Sequence, residues 1–385
     1  MTLQPAWLRQ DVLFYPSLLL LGLGWVMVTT ASTGIAEYNT GNAMYYSIRH
    51  GVYLVLGLIV MGLTSQIPMA RWRALELPLF MMAMVSLVLV LMPVIGHEVN
   101  GSRRWLNFGI IKVQASEIAK LAAVMFVSGY LVRRQAEVQR RFWGFLKPLI
   151  LLSSMVVLLL FEPDFGAVVV LMGAALIQLF LGGVRVWQYV FLMFLVAGAG
   201  YYAVISADYR LERVAGFLDP WAPEYVYDDA YQLTQSLIAF GRGDLLGVGL
   251  GESIQKLFYL PEAHTDFVFA IWAEETGLLG GVLAILALMY LLGLIWNSAW
   301  KAQLAGALYN AYLSIGIASL LTLQTVINLG VNTGLLPTKG LTLPFFSYGG
   351  SSLLVTCGMV GIVMRINYEV AGKRSDAKPT GATDA

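Results

Sequence analysis

The chain has 385 residues, 58% of them hydrophobic and 12% charged, with a mean hydropathy of +0.72. A soluble domain of this size carries about twice that share of charge, so the composition excludes an ordinary globular protein and indicates an integral membrane protein. A net charge of +1 excludes a nucleic-acid binder that relies on bulk charge, and a single cysteine, Cys357, excludes an intrachain disulfide.

A short polar N-terminus, residues 1–12, precedes the first apolar run. The many spans that follow favour a retained first helix over a cleaved leader. Apolar runs of about 17 to 25 residues cross a bilayer as helices. About ten are predicted, near 13–31, 48–67, 75–95, 115–133, 146–161, 165–183, 187–206, 266–296, 304–332 and 346–366. The fifth is short and its turn into the sixth is tight, so nine spans is the alternative count. The expected fold is an all-α polytopic membrane protein with one membrane domain, 13–367, and an irregular polar tail, 368–385.

Lysines and arginines orient the chain. With the N-terminus inside, the inner segments carry Arg9, Arg71, Arg73, Arg133, Arg134, Arg140, Arg141, Lys147, Arg185, Lys301, Arg365, Lys373, Arg374 and Lys378. That is the positive-inside pattern, and ten spans then place both termini in the cytoplasm. The outer loops are 96–114, 207–265 and 333–345, and most of their charges are acidic. Their cations break the orientation bias, which suggests another task for them.

The first outer cluster is Asn100-Gly-Ser-Arg-Arg-Trp-Leu-Asn107, followed by Lys112-Val-Gln-Ala-Ser-Glu-Ile-Ala-Lys120. A turn with an interfacial Trp105 and a capped helix carrying a Glu117–Lys120 pair explains part of it. Two adjacent arginines and Lys112 on the translocated side favour binding of a phosphate or pyrophosphate headgroup. In the turn Glu162-Pro-Asp-Phe-Gly166, Asp164 either caps the next helix or joins Glu162 in facing the outer cavity.

The loop of about 207–265 is too long for a simple connection. It contains an amphipathic stretch, Tyr231 to Phe240, and is expected to be ordered and to lie on the outer membrane surface between the seventh and eighth spans. It leads into Tyr259-Leu-Pro-Glu-Ala-His-Thr-Asp266, with Glu274 and Glu275 about two helical turns further on. Three histidines in the whole chain make a zinc site at His264 a poor fit, and no G-x-S-x-G supports a serine hydrolase. Asp266 remains either an N-cap or a carboxylate base, with Glu262 as support. Glu274 reads as structural. The last outer motif, Gly334 to Ser352, holds two prolines and four glycines beside Lys339, and its Gly-Gly-Ser-Ser run can line a polar cavity and bind an anion.

These motifs strongly resemble the SEDS family of cell-wall proteins (shape, elongation, division and sporulation) over roughly residues 12–370. The resemblance rests on Arg104-Trp105, Gln114-Ala-Ser-Glu-Ile-Ala-Lys120, Glu162-Pro-Asp-Phe-Gly166, Tyr231-Gln-Leu-Thr-Gln-Ser236, Pro261-Glu-Ala-His-Thr-Asp-Phe267 and Pro344-Phe-Phe-Ser-Tyr-Gly-Gly-Ser-Ser352. The segments 255–266 and 336–344 resemble its division-type branch. Ala115 departs from the proline common at that place in the family.

The resemblance implies ten transmembrane helices in the cytoplasmic (inner) membrane, at the division septum. It implies a peptidoglycan glycosyltransferase that polymerises lipid II on the outer face and works with a class B penicillin-binding transpeptidase and other division proteins. It further implies Asp266 as the catalytic carboxylate. Arg104, Lys112, Glu117 and Lys120 are then substrate-binding, with Lys339 and Ser351 beside them and Glu162, Asp164, Glu262 and His264 in support. A divalent cation, Mg or Mn, is a supplement left open. Two rival functions stand at this point, a lipid II flippase and a non-catalytic scaffold recruiting the transpeptidase. Polar clusters crowded at the outer mouth favour the enzyme over the flippase.

Overall fold

The structure is a computed structural model that describes residues 12–376, apart from 94, 100, 101, 108–111, 207 and 229. In chain order its elements begin with α1 (Phe14–Thr40), α2 (Tyr45–Gln66), α3 (Met69–Ala74) and α4 (Glu76–Leu91). Three short strands follow, β1 (Gly96–Val99), β2 (Ser102–Asn107) and β3 (Lys112–Gln114). Then come α5 (Ala115–Arg140), α6 (Phe142–Phe161), α7 (Phe165–Leu181), α8 (Val186–Ile205), α9 (Asp208–Leu218) and α10 (Tyr231–Gly243). The last three are α11 (Val268–Leu304), α12 (Leu308–Asn332) and α13 (Gly350–Asp376).

Seven of these helices are long and apolar enough to cross a membrane, and α4, α7 and most of α8 are shorter apolar helices. Together they give the ten spans expected, because in hydrocarbon a helix satisfies every backbone group within itself. α5, α12 and α13 form the interior, with α7 against α5 and α12, α11 against α12, and α2 along α13. The outer faces of α2, α4 and α8 carry exposed Ile59, Met81 and Phe194, as lipid contact requires.

Three features depart from the sequence reading. The 96–114 loop is an antiparallel sheet in the order β1-β2-β3, with Trp105 opposite His97 and Gln114. This sheet carries Arg104 and Lys112 against the outer ends of the bundle. α13 runs on to Asp376 instead of giving way to an irregular tail at 368, and residues 377–385 lie outside the described residues. Its extra turns are anchored by Glu369, which pairs with Arg365 one turn earlier at 2.8 Å and accepts the Met69 N–H at 2.9 Å.

The third departure is a break in α11 at Gly277, whose φ of 66° and ψ of −169° are not helical. Leu278 and Leu279 donate their N–H groups to the carbonyls of Asp244 and Leu245, in the loop after α10. A Cβ at Gly277 would lie 2.4 Å from the Gly247 nitrogen, so both the positive φ and the close approach demand glycine. The amphipathic α10 packs on α11, with the Phe240 and Phe269 ring centroids 6.0 Å apart, and Ser236 donates to the Asn332 carbonyl at 2.7 Å. The long outer loop is therefore ordered and clamped to the bundle.

Candidate active site

The outer ends of α5, α6, α7, α11 and α12 converge with the 333–349 segment around Asp266. Asp266 sits two residues before α11, whose N-cap is Phe267 with no side-chain cap. Among the described residues its carboxylate accepts no hydrogen bond, so the capping alternative falls. Its main-chain carbonyl, by contrast, is held twice. Asn328 Nδ2 donates to it at 2.8 Å and Asn332 Nδ2 at 3.0 Å, while Asn332 Oδ1 accepts the Ala270 N–H at 3.1 Å. Asn328 also donates to the Leu341 carbonyl at 2.6 Å, which fixes the 333–349 segment to the same helix. Gly340 faces the carboxylate so closely that a Cβ there would lie 3.0 Å from Asp266 Oδ2.

Burial, and next the charge of Glu262, pushes the Asp266 carboxyl up to about 7, with Arg104 pulling it down and Asp164 adding to the rise. A carboxyl half ionised near neutrality is suited to accept a proton from a hydroxyl.

Arg104 extends from β2 to the turn between α6 and α7, donating through Nε to the Glu162 carbonyl at 3.1 Å and through Nη2 to the Pro163 carbonyl at 2.8 Å. Its guanidinium is thereby oriented without being neutralised by either carboxylate of that turn. Asp164 does cap α7, accepting the Ala167 N–H at 3.1 Å through Oδ1, while Oδ2 accepts from Gln114 at 3.3 Å. Glu162 is fully buried, both its carboxylate oxygens are without partners among the described residues, and burial and then Asp164 push it up to about 8. Lys339 lies over the ring of Phe165, the first residue of α7, at 5.3 Å.

Other residues assigned to the site have different surroundings. Glu117 and Lys120 are buried and paired at 2.9 Å, and Lys120 also donates to Gln324 Oε1 at 3.1 Å. Gln324 in turn donates to the Thr342 carbonyl at 2.9 Å. The pair thereby joins α5 to α12 inside the bundle. Ser351 is likewise internal, donating to the Lys112 carbonyl at 2.7 Å and accepting the Gln114 N–H at 3.0 Å, so it stitches β3 to α13. The Lys112 side chain remains partly exposed.

His264 is buried between Tyr46 and Tyr348, with ring centroids at 4.9 and 5.6 Å, and burial lowers its imidazole pKa. Glu262 supports the turn into α11. Its carbonyl accepts the Thr265 and Phe267 N–H groups, each at 3.2 Å, and its carboxylate accepts the Thr265 hydroxyl at 2.6 Å. Arg242 and Lys256, near Asp266 in sequence, go instead to Glu274 at 3.4 Å and Glu275 at 2.8 Å. Glu274 also receives the Ile254 N–H at 3.2 Å and the Gln255 N–H at 3.3 Å, which makes it the structural carboxylate expected. Asn328 and Asn332 escaped sequence reading. With Gln324 they form a polar ladder at i, i+4 and i+8 on an apolar helix, and that spacing was the available signal.

A family model described as a cell cycle protein, the FtsW, RodA and SpoVE family, matches residues 10–372. The chain belongs to the FtsW/RodA/SpoVE family. Relatives named probable peptidoglycan glycosyltransferase FtsW include one from Coxiella burnetii, 50% identical over 92% of this chain and 94% of that one. Another, from Pseudomonas fluorescens, is 50% identical over 91% and 86%. Among solved structures, a chain of a peptidoglycan synthase complex described as coordinating polymerization and crosslinking matches at a TM-score of 0.78. It is 29% identical and covers 94% of this chain and 99% of its own. The rod shape determining protein RodA of Thermus thermophilus matches at 0.69, with 28% identity over 95% and 99%. This FtsW/RodA-type chain thus shares its fold with those structures and its closer sequence likeness with FtsW proteins.

Proposed function

We propose that the chain is a division-type peptidoglycan glycosyltransferase. It polymerises lipid II into β-1,4 glycan at the outer face of the cytoplasmic membrane, and Asp266 is the base. The observation that carries this reading is that, among the described residues, Asp266 is held by its main chain and its carboxylate accepts no hydrogen bond, while the carboxyl is raised to about 7.

The donor sugar is α-linked to undecaprenyl pyrophosphate, and the product is β-linked, so one in-line displacement inverts the anomeric carbon. Asp266 accepts the proton of the acceptor 4-hydroxyl, whose oxygen bonds to the anomeric carbon as the bond to the pyrophosphate oxygen breaks. The electron pair leaves with undecaprenyl pyrophosphate. Pyrophosphate leaves readily once its charge is stabilised, and Arg104, with Lys112 of the neighbouring strand and Lys339 over Phe165, supplies cations for that. Among the described residues no three acidic, histidine or cysteine side chains converge as a cation cage.

The full set of partners in this reading is lipid II, the membrane lipids, a class B penicillin-binding transpeptidase and other division proteins. The enzyme stands at the septum with both termini in the cytoplasm and binds no nucleic acid. The likeness to a synthase complex that couples polymerization to crosslinking supports the transpeptidase. The test is glycan polymerisation by the purified protein with its transpeptidase, comparing wild type with Asp266→Asn. Loss of polymer with intact folding and partner binding is expected, and near-normal polymer would overturn the assignment.

A further inference from the structure

At the opposite end of the bundle, on the face that charge asymmetry assigns to the cytoplasm, lies a cavity of about 350 Å³. It is lined by α3, the connection 306–307, the first turn of α12 and Glu369 of α13. None of the catalytic groups above reaches it. Three independent features there call for an anion.

The first is the start of α12. Its N-cap, Ala307, provides no side-chain cap, the Ala307 N–H is already bonded to the Ala302 carbonyl, and the first helical bond is that of Ala311 to Ala307. The N–H groups of Leu308, Tyr309 and Asn310 are therefore left pointing out of the helix end, where an anion is favoured.

The second is Asn310. It is 8% exposed, it lines the cavity, and its amide makes no hydrogen bond with any described residue. An amide this nearly buried favours a hydrogen-bond partner, and the cavity it lines is open to one.

The third is Arg73, which lines the same cavity, stands 5.9 Å over the Tyr309 ring and makes no ion pair among the described residues. The one carboxylate in the lining, Glu369, is already neutralised by Arg365 at 2.8 Å and by the Met69 N–H at 2.9 Å. The surplus charge of the pocket is therefore positive.

We propose that this pocket binds a phosphate group, with Arg73 and the Asn310 amide gripping its oxygens over the N-terminus of α12. The source that suits its position is the headgroup of an anionic phospholipid of the inner leaflet. Exposed Trp300, Leu304 and Leu308 flank the pocket on the α11–α12 hairpin and offer an apolar surface for the attached acyl chains. A soluble phosphate ester shares the same recognition chemistry.

Amide hydrogen exchange of the full-length protein in nanodiscs tests this. Phosphatidylcholine discs are compared with discs containing phosphatidylglycerol, and with phosphatidylcholine discs to which glycerol 3-phosphate is added. Exchange at 308–310 is expected to slow by about tenfold or more when the anion is present. Arg73→Gln removes the slowing, whereas Arg71→Gln, on the same exposed helix but outside the lining, retains it. Protection by phosphatidylglycerol identifies a lipid headgroup as the ligand, and protection by glycerol 3-phosphate identifies a soluble ester. Unchanged exchange in both arms, or protection that survives Arg73→Gln with normal exchange elsewhere, overturns the proposal.

Discussion

Asn332 grips Asp266 by the backbone and not by the carboxylate. Its Nδ2 donates to the Asp266 carbonyl at 3.0 Å while its Oδ1 takes the N–H of Ala270, in the first turn of α11. The clamp fixes where the aspartate stands and leaves its oxygens to the substrate, which separates positioning from reactivity.

Removing the clamp should therefore lower turnover without weakening substrate binding. Asn332→Ala takes one donor from the Asp266 carbonyl and one of two acceptors from the Ala270 N–H, which keeps the Phe267 carbonyl at 3.0 Å, a cost of about 1 kcal/mol in stability. It is expected to cut kcat by about tenfold or more while KM for lipid II stays within about twofold. A steady-state comparison with Asn328→Ala, which also frees Leu341, checks this. A raised KM with unchanged kcat would contradict it.

Polymerisation should follow the ionisation of Asp266. The base works deprotonated, so the rate rises with pH to a half-maximum near 7 and falls about tenfold per unit below it. Arg104 lowers the Asp266 pKa, so Arg104→Gln should move that acid limb to higher pH and also raise KM for lipid II. A pH–rate series on the purified complex separates the two effects. An unmoved acid limb would remove Arg104 from the aspartate's surroundings.

Glu162 should show itself in stability. Its carboxyl is raised from 4.5 to about 8 in the folded chain, so the folded state holds a proton that the unfolded state releases. Its contribution is full below 4.5 and is lost as pH rises through about 8. Thermal unfolding of wild type should weaken across that window, and Glu162→Gln should be flatter. Parallel curves would mean that Glu162 is ionised and paired.

The buried Glu117–Lys120 pair gives a test of framework against substrate contact. Lys120→Met strands the Glu117 charge and is expected to cost about 3–5 kcal/mol. The double change Glu117→Gln with Lys120→Met should recover much of that stability and most of the polymerisation. A stable but inactive double variant would return the pair to the substrate site.

The ten spans were legible because hydrocarbon forces each apolar run to satisfy its own backbone, and the Glu117–Lys120 pair because i, i+3 neighbours meet on any helix. That the pair turns inward was not legible, since it depends on Gln324 of α12 reaching it. The Asp164 cap was readable from its turn. The break at Gly277 was not, because glycine is ordinary in membrane helices and its φ is set by a loop thirty residues earlier in the chain. Arg242 and Lys256 stand in the same case, since they lie near Asp266 in sequence and folding gives them to Glu274 and Glu275.

The central claim is that the carboxylate of Asp266 removes the acceptor proton. Glycan polymerisation by Asp266→Asn in complex with the transpeptidase tests it most directly, because asparagine keeps the shape and the main-chain clamp but cannot serve as the base. A fall of at least about a hundredfold in polymer formed, with unchanged thermal stability and partner binding, is the result expected. Polymer formed at near the wild-type rate would contradict it.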